Sequence, residues 1–171
     1  VPPPFWAFAW AGGQAVARYL LDHPEEAAGR RVLDVASGSG LVAIAAMKAG
    51  AAGATANDLD AFCGPAVALN AEANGVAVEF IGEDLLDRPP PEGFVLLTAG
   101  DVCYEKPFSE KVLAWLGAAR ASGTRVLIGD PGRSYFPRTG LQQLADYQVE
   151  TTRELEDALV KRAGVWTFAA D

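Results

Sequence analysis

The strongest constraint on the fold is a short stretch that predicts a strand, a tight turn and a helix in direct succession. It reads Arg31-Val-Leu-Asp-Val-Ala-Ser-Gly-Ser-Gly-Leu-Val-Ala. The apolar run ends near Asp34, small residues follow, and helical spacing begins at about Leu41. A strand that turns directly into a helix is the first unit of an open α/β sheet. The backbone N–H groups of such a turn lie above the strand ends, where these sheets bind ligands.

The rest of the chain repeats this alternation of short apolar runs and helical patterns. We expect strands at residues 31–36, 53–58, 76–81, 94–99, 124–129, 147–152 and 165–168. We expect helices at residues 12–21, 41–49, 62–73, 109–121 and 139–145. The last two strands have no convincing helical pattern between them and should pair antiparallel. The sequence therefore predicts a Rossmann-like, doubly wound sheet of seven strands, mostly parallel with an antiparallel last strand, and helices on both faces.

Length, charge and cysteine content narrow the classes of function. The 171 residues, half of them apolar, suffice for one domain over residues 1–171 with a buried core. A net charge of −8 disfavours nucleic acid as a partner, and the two cysteines and one histidine form no metal-ligand pattern. We expect a monomer that does not bind membranes, in the cytoplasm, or in the mitochondrial matrix if the source is eukaryotic. Because the chain starts with Val1, we expect further residues before it.

The turn after the first strand could hold either of two kinds of cofactor. Gly38, Gly40 and Ala43 satisfy the dinucleotide pattern G-x-G-x-x-A, which is a weak signal by itself. In a dinucleotide site the helix N-terminus holds a pyrophosphate, and the nearby carboxylate of Asp34 would repel that anion. S-adenosylmethionine instead carries a cationic sulfonium and an ammonium group, for which Asp34 is a favourable neighbour. Asp34 therefore favours S-adenosylmethionine.

Two more carboxylates follow the next two predicted strands. Asp58 is placed to accept both ribose hydroxyl hydrogens, with Leu59 beside it to cover an adenine face. Asp84 is placed to accept a hydrogen bond from the adenine amino group, and the Leu85 N–H to donate to the ring. Each feature also has a structural explanation: Asp58 as a helix N-cap, Asp84 as a turn residue, and the glycine turn as a simple connection. Three acidic residues at three successive strand ends favour the adenosine site.

An aromatic segment precedes the first predicted helix. Phe5, Trp6, Phe8 and Trp10 are too dense for an exposed loop, so some of them must be covered. Trp6 and Phe8 could equally cap one end of the sheet, whereas we assign Trp10 to the wall of the cofactor site because an aromatic face attracts a sulfonium. The expected cofactor-binding residues are Trp10, Asp34, Ala36, Ser37, Gly38, Gly40, Asp58, Leu59, Asp84, Leu85 and Ala99.

Four segments together resemble a known enzyme family. Val32-Leu-Asp-Val-Ala-Ser-Gly-Ser-Gly is similar to the first motif of the class I, seven-β-strand methyltransferases that use S-adenosylmethionine, with Ala36 where many members have glycine. Asp101-Val-Cys-Tyr104 resembles the D-x-x-Y element of the family-16 lysine methyltransferases. Pro3-Pro-Phe-Trp-Ala-Phe-Ala-Trp-Ala-Gly-Gly-Gln and Gly129-Asp-Pro-Gly-Arg133 resemble the electron transfer flavoprotein β-subunit lysine methyltransferases. The resemblance implies methylation of a protein lysine, with that β subunit as the candidate partner.

The resemblance implies catalytic roles for Asp101 and Tyr104, which follow Ala99 where the fourth predicted strand opens into a loop. Asp101 would orient the lysine amine and stabilise the charge that develops on it, and Tyr104 would direct the nitrogen lone pair. The structural alternative is that Asp101 caps the next helix and Tyr104 packs beneath it. Arg133 could contact a substrate protein or be an ordinary solvated arginine.

Three functions remain open from the sequence. The first is N-methylation of a protein lysine, and the second is N-methylation of a small amine or aromatic nitrogen on the same fold. The third is a module that binds an adenosyl ligand without chemistry. Turnover that depends on Asp101 and Tyr104, at unchanged cofactor affinity, would separate the enzymes from the binding module.

Overall fold

A seven-stranded sheet forms the centre of the fold and determines where the site lies. The computed structural model describes residues 3–153 and 156–170. Its strands are β1 Arg31–Val35, β2 Gly53–Asn57, β3 Glu79–Ile81, β4 Leu96–Gly100, β5 Arg125–Asp130, β6 Leu141–Glu150 and β7 Val160–Phe168. They are ordered β3-β2-β1-β4-β5-β7-β6. Strands β1 to β5 pair in parallel, and β7 runs antiparallel to both of its neighbours. The predicted sheet, with its antiparallel last strand, is confirmed.

Helices cover both faces of this sheet, as predicted. They are α1 Ala11–Asp22, α2 Leu41–Lys48, α3 Cys63–Ala73 and α4 Lys106–Ala121, with short 3-10 turns at Phe5–Ala7 and Pro24–Glu26. Neighbouring residues of β1 point to opposite faces: Val32 packs in the core formed with α1, α2 and α3, and Leu33 in the core formed with α4. Both residues are fully buried, as expected for parallel strands covered on both sides. Within the described residues, no helix is long and apolar enough to cross a membrane.

The C-terminal third of the chain differs from the sequence-based expectation. The prediction of a helix at residues 139–145 is wrong, because most of these residues belong to the long strand β6. Strand β7 is also longer than predicted, and it pairs with β6 from Leu141 opposite Phe168 to Glu150 opposite Val160. Leu, Gln and Ala favour helices locally, but cross-strand pairing along a whole hairpin outweighs that preference.

Helix α1 packs against the ends of β4 and β5 with almost no space between the backbones. A Cβ atom built on Gly129 would lie 2.0 Å from the carbonyl oxygen of Gly12. One built on Gly100 would lie 2.7 Å from the backbone nitrogen of Gly13. Only glycine permits this approach, which brings the first turn of α1 onto the carboxyl edge of the sheet.

This close contact predicts that Gly129→Ala strongly destabilises the protein. The added methyl group meets backbone atoms, which cannot move aside as a side chain can, so we expect a loss of about 3 kcal/mol or more in the free energy of unfolding. Gly53→Ala is the matched control, since it is also a strand glycine but nothing lies within 4 Å of the position that its added methyl group would take. Thermal unfolding of both variants tests the prediction, and equal melting temperatures would contradict it.

Candidate active site

A cavity of about 470 Å³ opens at the carboxyl edge of the sheet. Its walls come from the aromatic segment before α1, the glycine turn after β1, and the residues that follow β2 and β4. The strand order reverses between β1 and β4, which is where open α/β sheets bind their ligands. A cavity of this size can enclose a cofactor-sized molecule.

The cavity brings together most of the residues that the sequence singled out. The predicted site residues in its walls are Trp10, Asp34, Ala36, Ser37, Gly38, Asp58, Asp101 and Tyr104. Trp6 and Phe8, for which a sheet-capping role was the alternative, also line it. Lining residues that the sequence analysis missed include Gly13, Asp60 and Gly100.

The other predicted cofactor residues lie outside the cavity wall, and their roles stay predictions. Gly40 is the N-cap of α2 and packs against Val67 of α3. Leu59 is exposed, whereas Leu85 and Ala99 are buried in the core on the α4 side. Asp84 accepts a hydrogen bond from the Leu86 N–H and pairs with Lys111.

The turn between β1 and α2 is held by contacts from two other parts of the chain. Ala36, Gly38 and Gly40 all have positive φ angles, of 55°, 54° and 93°. The Gly38 N–H donates to Asp58 Oδ2 at 2.9 Å, and a Cβ atom on Gly38 would lie 2.8 Å from the Trp6 carbonyl oxygen. Asp58 therefore braces the turn, and it is not the N-cap of α3, a position that Phe62 occupies.

Asp34 is a buried carboxyl group in the cavity wall. Thr98 Oγ1 donates a hydrogen bond to its Oδ1 at 2.7 Å. The pKa of Asp34 is raised to about 7, and burial is the main cause. The nearby charge of Asp58 also raises this pKa, whereas the hydrogen bond from Thr98 lowers it. A cation in the cavity would stabilise the ionised form, because a buried negative charge needs a partner.

The aromatic segment before α1 lines one side of the cavity, and contacts within the segment hold it in place. Trp10 Nε1 donates to the Phe5 carbonyl oxygen at 2.8 Å, and the Phe8 ring meets the Trp10 ring edge to face at 6.0 Å between centroids. Trp6 stacks on Phe62 with centroids 6.0 Å apart. The segment is thus held from within and by the residue just before α3.

Asp101 lies at the other side of the cavity in a strained backbone conformation, with φ of 57°. Its Oδ2 accepts the Gly13 N–H at 2.8 Å, and its Oδ1 accepts from Arg133 Nη2 at 3.1 Å. Burial raises the pKa of Asp101, while the Gly13 N–H and the Arg133 charge oppose the rise. Asp101 therefore caps the first turn of α1 rather than the helix that follows it, whose N-cap is Glu105.

Tyr104 occupies the rim of the same cavity. Its side chain is 60% exposed, and its ring contacts that of Phe108 at 5.7 Å between centroids. Burial of part of the ring raises the pKa of the Tyr104 hydroxyl, so the group is a neutral phenol at physiological pH. The hydroxyl can then both donate and accept a hydrogen bond.

Arg133 connects the site to the C-terminal hairpin and is not the solvated arginine that the sequence left open. Its guanidinium binds Asp101 and Glu156, each at 3.1 Å, and lies 5.6 Å from the centre of the Trp10 ring. Glu156, whose side chain is 4% exposed, also pairs with Lys161 at 2.7 Å. The segment Gly129-Asp-Pro-Gly-Arg133 marked this residue, but only the fold reveals its partners.

We therefore predict that Arg133→Gln destabilises the protein by roughly 3 kcal/mol, because two buried carboxylates lose their shared cation. The pKa of Asp101 should rise at the same time. Arg138→Gln, at an exposed position in the same loop, is the control and should change stability by less than about 0.5 kcal/mol. Chemical denaturation measures the difference, and equal stability of the two variants would show that the bridge is unimportant.

Comparison with known proteins places this site within a class. Residues 17–91 match the family model described as ribosomal protein L11 methyltransferase (PrmA). The fold is shared with magnesium protoporphyrin IX methyltransferase from Synechocystis PCC 6803, crystallised with bound S-adenosylmethionine, at a TM-score of 0.63 and 16% identity, over 92% of this chain and 78% of that one. With the sheet order, these matches show that the chain has the fold of the class I, S-adenosylmethionine-dependent methyltransferases.

Two relatives are similar enough in sequence to show the family. The electron transfer flavoprotein β-subunit lysine methyltransferase of Danio rerio is 38% identical over 98% of this chain and 67% of its own length. The enzyme of the same name from Rattus norvegicus is 39% identical over 96% of this chain and 67% of its own length. The chain belongs to the electron transfer flavoprotein β-subunit lysine methyltransferase family.

Proposed function

We propose that this enzyme methylates a lysine of the electron transfer flavoprotein β subunit. The observation that carries the proposal is that one cavity holds both the glycine turn with Asp34 and Asp58, and the two residues Asp101 and Tyr104. A cofactor site and a substrate channel thus meet in one space. The names of the family members support the choice of protein substrate.

The residues of the turn fit S-adenosylmethionine better than a dinucleotide. When bound, this cofactor supplies a methyl group activated by its positively charged sulfur. The buried Asp34 carboxyl favours a cation in the cavity, and Trp10 presents an aromatic ring in the same wall. Asp58 lines the cavity too, and it keeps acceptor capacity for a ribose hydroxyl beside the bonds it accepts from Gly38 and Asp60.

Asp101 is the residue best placed to handle the substrate amine. A lysine has a pKa of about 10.4, so presenting it as a neutral amine at pH 7 costs roughly 4 to 5 kcal/mol unless the site helps. Each Asp101 oxygen accepts one hydrogen bond from the protein, which leaves capacity for the amine N–H. The carboxylate then orients the nitrogen and stabilises the positive charge that develops on it, while the released proton goes to water.

Tyr104 and Trp10 complete the channel in this proposal. The Tyr104 hydroxyl at the rim can hold one amine hydrogen, which directs the lone pair into the cavity. The rings of Trp10 and Tyr104 line the same cavity and suit a methylated ammonium through cation–π attraction. Arg133, which also lines the cavity, keeps Asp101 in place through their ion pair.

The cofactor assignment predicts a clear preference in isothermal titration calorimetry. S-adenosylmethionine and its demethylated product should bind with micromolar affinity, and NAD should not bind. Asp58→Asn should weaken binding by about 1.5 to 3 kcal/mol, the range for hydrogen bonds to a charged group. Asp87→Asn removes an exposed carboxylate outside the cavity and should leave affinity unchanged. Comparable binding of NAD would overturn the assignment.

The chemistry is tested by transfer of a labelled methyl group to the electron transfer flavoprotein β subunit, with mass spectrometry of the modified lysine. Asp101→Asn should lower turnover by about 100-fold or more while cofactor affinity stays within a few-fold, because the lost interaction acts in the transition state. Tyr104→Phe should have a smaller effect, since its ring still shapes the channel. Near-normal turnover of a folded Asp101→Asn enzyme would refute the role of this carboxylate.

A further inference from the structure

A second cavity, of about 240 Å³, lies on the C-terminal part of the sheet. Asp130 of β5 pairs with Gly164 of β7, and Gly164 pairs with Asp146 of β6. Directly opposed residues of neighbouring strands share one face of a sheet, so the two carboxylates stand on the same side with Gly164 between them. All three residues line the cavity.

One oxygen of Asp130 is satisfied and the other is not. Oδ2 accepts the N–H groups of Gly132 and Arg133 at 2.7 and 2.8 Å and so forms the turn after β5. Oδ1 is buried and has no hydrogen-bond partner among the described residues, and Asp130 as a whole is only 3% exposed. The hydrogen bonds of the turn account for Oδ2, but they do not explain why Oδ1 is buried without a hydrogen-bond partner in the described part of the chain. A buried acceptor of this kind is unfavourable unless a ligand completes it.

Two aromatic rings also form part of the cavity wall. Phe136 and Trp166 both line it, with ring centroids 5.2 Å apart. The Trp166 indole lies directly over Gly164, because a Cβ atom there would be 2.5 Å from Trp166 Nε1. A carboxylate beside two aromatic rings is a suitable environment for an organic cation.

The one arginine that lines this cavity does not fill that role. Arg162 forms an ion pair with Asp146, and its side chain is 79% exposed. It therefore balances the charge of Asp146 at the edge and leaves Asp130 Oδ1 without a partner among the described residues. Asp130 is therefore the carboxylate in this cavity wall to which Arg162 does not bind.

We propose that this second cavity binds a cationic side chain of the protein substrate, a lysine or arginine other than the one that is methylated. The proposal rests on the proposed function, because it assigns the cation to the same substrate. Arg133 links the two cavities: its backbone N–H binds Asp130, and its guanidinium binds Asp101 in the first cavity. A substrate segment can therefore occupy both, and the enzyme selects a lysine that has a second cation nearby.

The cavity itself is tested by NMR with a small probe and needs no methyl transfer. Nα-acetyl-lysine methylamide should shift the Trp166 indole and Gly164 amide signals in a saturable way, and its neutral Nε-acetylated analogue should not. Trp166→Leu identifies the indole signal. Asp130→Asn should weaken the probe at least fivefold, although its amide oxygen can still accept the two N–H groups of the turn. Equal shifts by both probes, or unchanged affinity in Asp130→Asn, would overturn the proposal.

Kinetics then test whether the cation belongs to the substrate. Lysines and arginines near the methylated lysine of the electron transfer flavoprotein β subunit are changed to glutamine one at a time. With the wild-type substrate, Asp130→Asn should raise KM while kcat stays within twofold. One of the substrate changes should raise KM about tenfold for the wild-type enzyme. The same substrate change should have no further effect on KM for the Asp130→Asn enzyme. Asp87→Asn is the charge-matched control. If no substrate change couples to Asp130, the substrate role is wrong.

These experiments separate the two levels of the proposal. If the β subunit is not methylated at all, the proposed function fails, while the NMR titration still decides whether the cavity binds a cation. If methylation occurs but the probe does not shift the Trp166 signal, only the second subsite fails. Trp166→Leu provides a second variant of the cavity wall for the kinetic comparison. The melting temperatures of Trp166→Leu and Asp130→Asn show whether both variants are folded.

Discussion

The backbone contact between Gly12 and Gly129 is the constraint on which the site depends. Because neither residue has a side chain, α1 can begin directly on the ends of β4 and β5. The Gly13 N–H then reaches Asp101, which the turn after β4 holds at a positive φ angle. Arg133 binds the second oxygen of the same carboxylate. A larger side chain at either glycine would separate the helix from the sheet and leave a buried carboxylate without its hydrogen bonds.

The site is arranged for cations, which is consistent with the chemistry of its family. Asp34 and Asp101 are buried carboxyl groups whose pKa values burial raises. The same is true of Asp130 in the second cavity, where burial raises the pKa to about 6. Groups of this kind are destabilised as isolated anions, so a bound sulfonium, ammonium or lysine side chain gains more from them than from an exposed carboxylate. Aromatic rings accompany both cavities.

The C-terminal hairpin shows where inference from the sequence fails. Residues 139–145 have good helix formers, yet they belong to β6 because Leu141–Glu150 pairs with β7 along its length. That pairing depends on residues far along the chain, which local spacing does not reveal. The described residues between β5 and β6 form no helix, and the sheet face that carries the second cavity remains open there. The second cavity thus lies beside a hairpin and not beside a helical crossover.

The sequence by itself determined the features that depend on neighbouring residues. The strand, turn and helix around Gly38, the alternation of elements, and the acidic residues at strand ends follow from local backbone conformation and apolar spacing. Only the tertiary structure decided which of these residues share a cavity and which partners they have. Asp84 and Leu85 follow β3 as expected but lie outside the cavity wall, whereas Arg133 reaches Asp101 from another loop. Such contacts arise from long-range packing, because a side chain's partner is set by the folded sheet and not by its neighbours in the chain.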